Sequence, residues 1–120
     1  GGEALWETAQ RQGVLSASFF WPGSEVNLSY RRPTYFKRYD GSVALEQRIE
    51  GIIKWLQLPG KKRPHLLFLY FSNTDTQGHR FGPNSPQINQ AIRFLDRELG
   101  VLFKKLDKIG MKDSVNVILV

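Results

Sequence analysis

The sequence has no cysteine in its 120 residues, so it holds neither a disulfide framework nor a thiolate metal site. It has no run of about 18 apolar residues, the length needed to cross a bilayer. Its first residues do not read as a signal peptide. No segment repeats, none is of low complexity, and the recognised nucleic-acid-binding motifs are missing. What remains is an apolar content of 41%, enough for the core of one small domain.

Positive charge is in excess. The formal net charge is +6, with basic residues grouped at Arg31-Arg32, Lys37-Arg38, Lys61-Lys62-Arg63 and Lys104-Lys105. Such a balance attracts phosphates. The groups also have a plain structural explanation. The Lys61 group reads as a loop between a helix and a strand. Lys104, Lys105 and Lys108 fall near a helix C-terminus, where cations complement the dipole. Nucleic acid is therefore not expected as the main partner.

Helical and strand patterns alternate along the chain. Residues 3–12 read as a short helix stopped by Gly13 in a left-handed C-cap. Val14 to Trp21 reads as a strand. Residues 22–40 lack periodicity, hold two prolines and read as a long loop of the kind that is usually functional. Ser42 is the expected N-cap of a helix carrying Leu45, Ile49, Ile52, Ile53 and Leu56 on one face. Residues 65–71 form an apolar strand. Ile88, Ile92, Leu95, Leu99, Leu102, Leu106 and Ile109 recur at steps of four and three. They build one apolar stripe expected to pack on a sheet, with Arg93, Arg97, Glu98 and Lys105 available to water. Val115 to Val120 reads as a strand buried on both faces. This order implies an α/β fold, a mostly parallel sheet flanked by helices.

Chemistry concentrates in the run Tyr70-Phe71-Ser72-Asn73-Thr74-Asp75-Thr76-Gln77-Gly78-His79-Arg80-Phe81-Gly82-Pro83, which reads as a loop beyond a strand's carboxyl end. Ligand sites of open α/β sheets lie there. Asp75 and His79 offer an oxygen and a nitrogen, donors that suit Zn²⁺ at about 2.0–2.2 Å, and Gly78 is expected to let the backbone turn tightly between them. The alternative makes Asp75 a cap for nearby loop amides and His79 an ordinary surface or packed histidine.

The run resembles the metal loop of the nucleotide pyrophosphatase/phosphodiesterase family, in the alkaline phosphatase superfamily. That loop reads Tyr-Phe, acidic residues, Pro-Asp, two residues, Gly-His, two residues, Gly-Pro. Other stretches match in order. They are Gly1-Gly2-Glu3-Ala4-Leu5-Trp6-Glu7-Thr8-Ala9, Gln12-Gly13, Phe19-Phe20-Trp21-Pro22-Gly23-Ser24-Glu25, Tyr39-Asp40-Gly41-Ser42-Val43, Glu46-Gln47-Arg48, Trp55-Leu56-Gln57-Leu58-Pro59, Arg63-Pro64-His65 and Val115-Asn116-Val117-Ile118-Leu119-Val120. The similarity spans nearly the whole chain.

The resemblance implies zinc-dependent hydrolysis of phosphodiester or pyrophosphate bonds in nucleotides or related diesters, through a covalent threonine intermediate. It implies two zinc ions, with Asp75 and His79 as ligands of the second. Tyr70 matches an aromatic that stacks on the base or other leaving moiety; a strand-end tyrosine packed in the core is the competing reading. Trp6, Phe19 and Phe20 match positions bordering the substrate pocket, and as large aromatics they suit plain core equally. The family's threonine nucleophile lies upstream of Gly1 and its Asp-His-Gly motif follows Val120. Residues 1–120 are thus expected to be part of a catalytic domain that holds no catalytic nucleophile itself. An extracytoplasmic location follows by the same resemblance.

One departure stands out. Ser72-Asn73-Thr74 replaces the family's acidic residues and proline before the aspartate, which leaves the substrate subgroup open among nucleoside triphosphates, dinucleotides and choline phospholipids. A different class of function also remains, a basic α/β module that binds phosphate-containing ligands without catalysis. Asn27-Leu28-Ser29 has the form of a glycosylation sequon, a pattern common enough by chance that form alone assigns nothing.

Overall fold

A computed structural model describes residues 2–120; Gly1, the first residue of the Gly-Gly opening, lies outside them. The elements run α1 (Leu5–Arg11), β1 (Ser16–Phe19), a 3-10 turn (Ser29–Arg31), β2 (Tyr35–Lys37), α2 (Leu45–Leu56), β3 (Leu66–Leu69), α3 (Asn73–Phe81) and α4 (Pro86–Lys108). They fall into two compact units, one up to Tyr70 and one from Phe71 onward.

In the first unit three parallel strands pair in the order β2-β1-β3. β1 is the centre and is buried along its whole length. Its side chains alternate between faces. Ala17 and Phe19 point one way, and Phe19 packs on Trp55 of α2 with ring centroids 5.8 Å apart. Ser16 and Ser18 point the other way. Ser18 pairs in register with Phe68, against which Trp6 of α1 sets its indole edge-on at 5.5 Å. The helices α1 and α2 therefore cover opposite faces, the arrangement expected of an α/β fold.

α1 ends as its sequence predicts. Gly13 adopts φ +78°, its amide donates to Gln10 O at 3.0 Å, and the Val14 amide reaches Ala9 O at 2.9 Å. That pair of bonds is a Schellman cap. The apolar face predicted for α2 is buried in full: Leu45, Ile49, Ile52, Ile53 and Leu56. Each contributes roughly 1.5–3 kcal/mol by leaving water.

Several expectations need correction. Ser42 does not cap α2; the N-cap is Ala44. Ser42 instead donates from its amide and its hydroxyl to Asp40 Oδ1, at 2.9 and 2.6 Å. Those bonds, the hydroxyl's first, hold the Asp40 carboxyl below its ordinary range. The Gln47 side chain reaches back to the Ala44 amide at 3.2 Å, half of a capping box. Residues 22–40 are not all loop, because β2 forms there on the edge of the sheet. Three residues leave too short a pattern to read. The strands expected over Val14–Trp21 and 65–71 are trimmed to Ser16–Phe19 and Leu66–Leu69.

In the second unit α4 packs on α3 rather than on the expected sheet, and the predicted stripe is covered only in part: Leu102 and Leu106 are buried with Ala91, while Ile92 is 52% exposed. Ser85 caps it, its hydroxyl accepting from the Ile88 amide at 3.2 Å, with Pro86 at the first helical position. Glu98 was expected in water but is buried. Val115 to Val120 is not a strand. It has no ladder partner among the described residues, and Val117, Ile118, Leu119 and Val120 are exposed. Apolar β-branched residues favour a strand only where a neighbour's amides pair with theirs.

Candidate functional site

Loops leaving the carboxyl ends of all three strands line a cleft of about 340 Å³ in the first unit. Phe20, Trp21, Pro22, Gly23, Ser24 and Glu25 follow β1, Lys37 and Tyr39 end and follow β2, and Tyr70 follows β3. The chain leaves β1 towards β2 on one side and reaches β3 on the other, so this is where the strand order reverses. Ligand crevices of open α/β sheets form at such a point.

The β1 exit is held in an uncommon conformation. Phe20 has φ +73°, the only non-glycine residue with positive φ among those described. An aromatic there costs on the order of 1–3 kcal/mol and persists only where its surroundings impose it. A closed circuit imposes it here. The Trp21 amide donates to Ser18 Oγ (3.1 Å), Ser18 Oγ donates to Ser24 Oγ (2.8 Å), and Ser24 Oγ donates to Trp21 O (2.6 Å).

Arg48 supports the same place from beneath. It is only 3% exposed. Its Nε donates to Val43 O and its Nη1 to Tyr70 O, both at 3.0 Å, and its guanidinium lies 4.9 Å from the Phe20 ring centre. One buried cation thus ties the end of β3 to the strained residue after β1. Above it, Phe20 meets Tyr39 edge-on at 5.4 Å, and Tyr39 lies 6.4 Å from Tyr70. Glu25 Oε2 accepts from the Tyr39 amide at 2.8 Å and fixes that loop.

Of the aromatics singled out in the sequence, Phe20 and Tyr70 line the cleft. Phe19 lies behind it in the core, against Phe20 and Trp55. Trp6 is buried on the opposite sheet face, its Nε1 donating to Arg31 O at 2.8 Å. Neither Phe19 nor Trp6 is among the cleft's lining residues. Trp21, Glu25, Lys37, Tyr39 and Arg48 were given no role from sequence. The density of aromatic and turn residues at Phe20-Trp21-Pro22-Gly23 was the available signal for the first two. Nothing local marks Arg48, since burial of an arginine is decided by tertiary packing.

The second unit holds Asp75 and His79, and here the expected loop is a helix. α3 begins at Asn73, so the two residues stand at i and i+4 on one face. Gly78 lies inside the helix and makes no tight turn; the turn comes at Gly82, with φ +90°. Asp75 in the first turn and His79 and Arg80 in the last suit the helix dipole. Asp75 Oδ1 and His79 Nε2 are 3.2 Å apart, with side chains 63% and 82% exposed. No side chain caps α3, so Asp75 is not the amide cap of the competing reading.

Those donors fit a zinc ion. Two ligands at about 2.0–2.2 Å from a tetrahedral centre stand roughly 3.3–3.4 Å apart, close to the observed separation. A proton on Nε2 in place of a metal makes the same contact a hydrogen bond. No cluster of three or more His, Asp or Glu that could hold a metal ion occurs among the described residues, so no third donor joins this pair there. No helix among the described residues is long and apolar enough to cross a membrane.

Comparison with known proteins bears on both units. The family model for type I phosphodiesterase / nucleotide pyrophosphatase matches residues 1–120. A venom phosphodiesterase, CdcPDE, from Crotalus durissus collilineatus is 44% identical over 119 residues, covering 99% of this chain and 14% of its own length. Human ectonucleotide pyrophosphatase/phosphodiesterase family member 1 is 40% identical over 119 residues, covering 99% of this chain and 13% of its own. Among solved structures, an inactive variant of murine ectonucleotide pyrophosphatase/phosphodiesterase 5 in complex with AMP superposes with a TM-score of 0.80 at 37% identity. That match covers 90% of this chain and 28% of the other. The chain thus spans about one seventh of the length of these curated relatives.

Proposed function

As the chain belongs to the type I phosphodiesterase / nucleotide pyrophosphatase family, we propose that it is part of a zinc-dependent catalytic domain that hydrolyses phosphodiester or pyrophosphate bonds in nucleotides or related diesters. The observation that carries this reading is the Asp75–His79 pair, an oxygen and a nitrogen 3.2 Å apart on one helix face. These two residues are ligands of one of two zinc ions. A bound zinc supplies Lewis acidity, offsetting the charge that gathers on phosphoryl oxygens during displacement. The nucleophile is a threonine contributed from outside these 120 residues, and the reaction passes through a covalent intermediate on it.

Within this chain the protein's own work is positioning. Metal binding requires the donor atoms of Asp75 and His79 to be free of protons. Taken by itself, the cleft of the first unit is suited to a small organic ligand such as a nucleotide base. Its volume lies in the range of small-molecule sites. Tyr39 and Tyr70, with the buried Phe20 behind them, offer aromatic surface on which a base stacks, an interaction that is tolerant of base identity. Lys37 adds a cation at the rim. The AMP complex of the murine relative supports a nucleotide as ligand. The relatives' names, venom and ecto, support an extracytoplasmic location.

The test uses the full-length protein that carries this chain. Asp75→Ala and His79→Ala are each expected to lose zinc and turnover of a nitrophenyl phosphodiester together. Full turnover in both variants overturns the assignment. Nucleotide binding without hydrolysis by the zinc-loaded wild type favours the non-catalytic binding module instead.

A further inference from the structure

The loop between the cleft wall and β2 carries a feature that hydrolysis does not use. Asn27-Leu28-Ser29 is the only Asn-x-Ser/Thr triplet in the 120 residues, and its middle residue is not proline. That is the acceptor pattern for N-linked glycosylation, which requires a surface loop in a secreted protein. The structure meets the surface requirement. Asn27 is exposed, two residues beyond the cleft-lining Glu25 and just ahead of the 3-10 turn at Ser29–Arg31. Neither the Asn27 amide group nor the Ser29 hydroxyl takes part in a side-chain hydrogen bond among the described residues. Leu28 between them is extended, with φ −135° and ψ 105°.

A second observation concerns the same loop. Val26, Leu28 and Tyr30 are 38%, 45% and 76% exposed. Three large apolar side chains within five residues thus face water as a strip beside the cleft. An oligosaccharide on the asparagine among them is bulky and solubilising.

We propose that Asn27 carries an N-linked oligosaccharide that shields this strip beside the cleft. The proposal rests on the extracytoplasmic reading above. The chemistry is a group transfer without oxidation or reduction. Asn27 Nδ2 bonds to the anomeric carbon of an oligosaccharide delivered as its polyprenyl pyrophosphate by the host's transferase. The bond from that carbon to the pyrophosphate oxygen breaks, the polyprenyl pyrophosphate leaves with the electron pair, and the amide gives up one proton.

The experiment recovers the full-length protein from its own cells and maps the peptide that contains Asn27 by mass spectrometry. The peptide is measured before and after treatment with a peptide N-glycosidase. The expected result is an oligosaccharide mass on that peptide, removed by the enzyme with conversion of Asn27 to aspartate. Ser29→Ala should abolish the modification and Ser29→Thr should keep it, with phosphodiester turnover retained in both. Exported, active protein with an unmodified Asn27 peptide overturns the proposal and leaves the hydrolase reading standing. Retention in the cytosol overturns the extracytoplasmic reading and this proposal together, again without touching the hydrolase reading. Modification that survives Ser29→Ala also overturns it.

Discussion

Asp75 and His79 owe their convergence to one turn of α3, and each is exposed enough to meet an incoming ion. In the proposed zinc role, replacing either removes a ligand outright. The loss of zinc affinity should exceed the roughly 10–100-fold typical of losing an outer-shell partner, as read by titration of the full-length protein with zinc. Arg48 makes a different prediction. Its guanidinium satisfies the carbonyls of Val43 and Tyr70 in a buried place. Arg48→Ala leaves both oxygens without that partner and should cost roughly 2–4 kcal/mol in denaturant unfolding. It should also raise KM by loosening Phe20 and Tyr70. An unchanged unfolding midpoint would show that those bonds are not formed. The meeting of Asp75 and His79 was legible from their residue types and spacing, although the helix that brings them together was not. Arg48 was not, because nothing in a sequence shows which arginine the fold encloses.

At the scale of elements, close approach governs the α2–β1 contact. A Cβ built on Gly51 runs into the ring of Phe19, which Phe20 and Trp55 hold in place. Gly51→Ala should therefore destabilise by about 1–3 kcal/mol through overpacking, although alanine is the better helix former. α1 makes a pH prediction. Glu3 receives Arg11 Nε at 2.9 Å, Arg11 Nη2 at 2.7 Å and the Thr8 hydroxyl at 2.8 Å. The Arg11 bonds, then the Thr8 bond, lower its pKa from 4.5 to about 2. A depressed carboxyl stabilises the fold above its unfolded value and loses that contribution as pH falls. The tie should thus be intact above 4.5 and released as pH drops towards about 2. An NMR titration of the Glu3 carboxyl gives the midpoint, and a value near 4.5 would deny the bridge. The long elements were readable because period dominates them: α2 and α4 show their apolar stripes directly. β2 is too short to have a period. α3 is polar, carries Gly78, and reads as loop until its packing on α4 and its end charges are known.

At the largest scale, the parallel sheet of the first unit with helices on both faces followed from the alternation of patterns, whereas its cleft, of whose lining only Tyr70 belongs to the run singled out in the sequence, shows itself only once the strand order is known. Val115 to Val120 shows the limit of that reasoning. Composition favours a strand, but a strand is a relation between two segments, and this one has no ladder partner among the described residues. The central claim is that the carboxylate of Asp75 and the imidazole of His79 share one zinc ion. The most direct measurement is anomalous diffraction at the zinc edge from crystals of the full-length protein. The account predicts a zinc peak about 2.0–2.2 Å from both a carboxylate oxygen of Asp75 and Nε2 of His79. Zinc bound elsewhere, with these two side chains still joined only to each other, would contradict it.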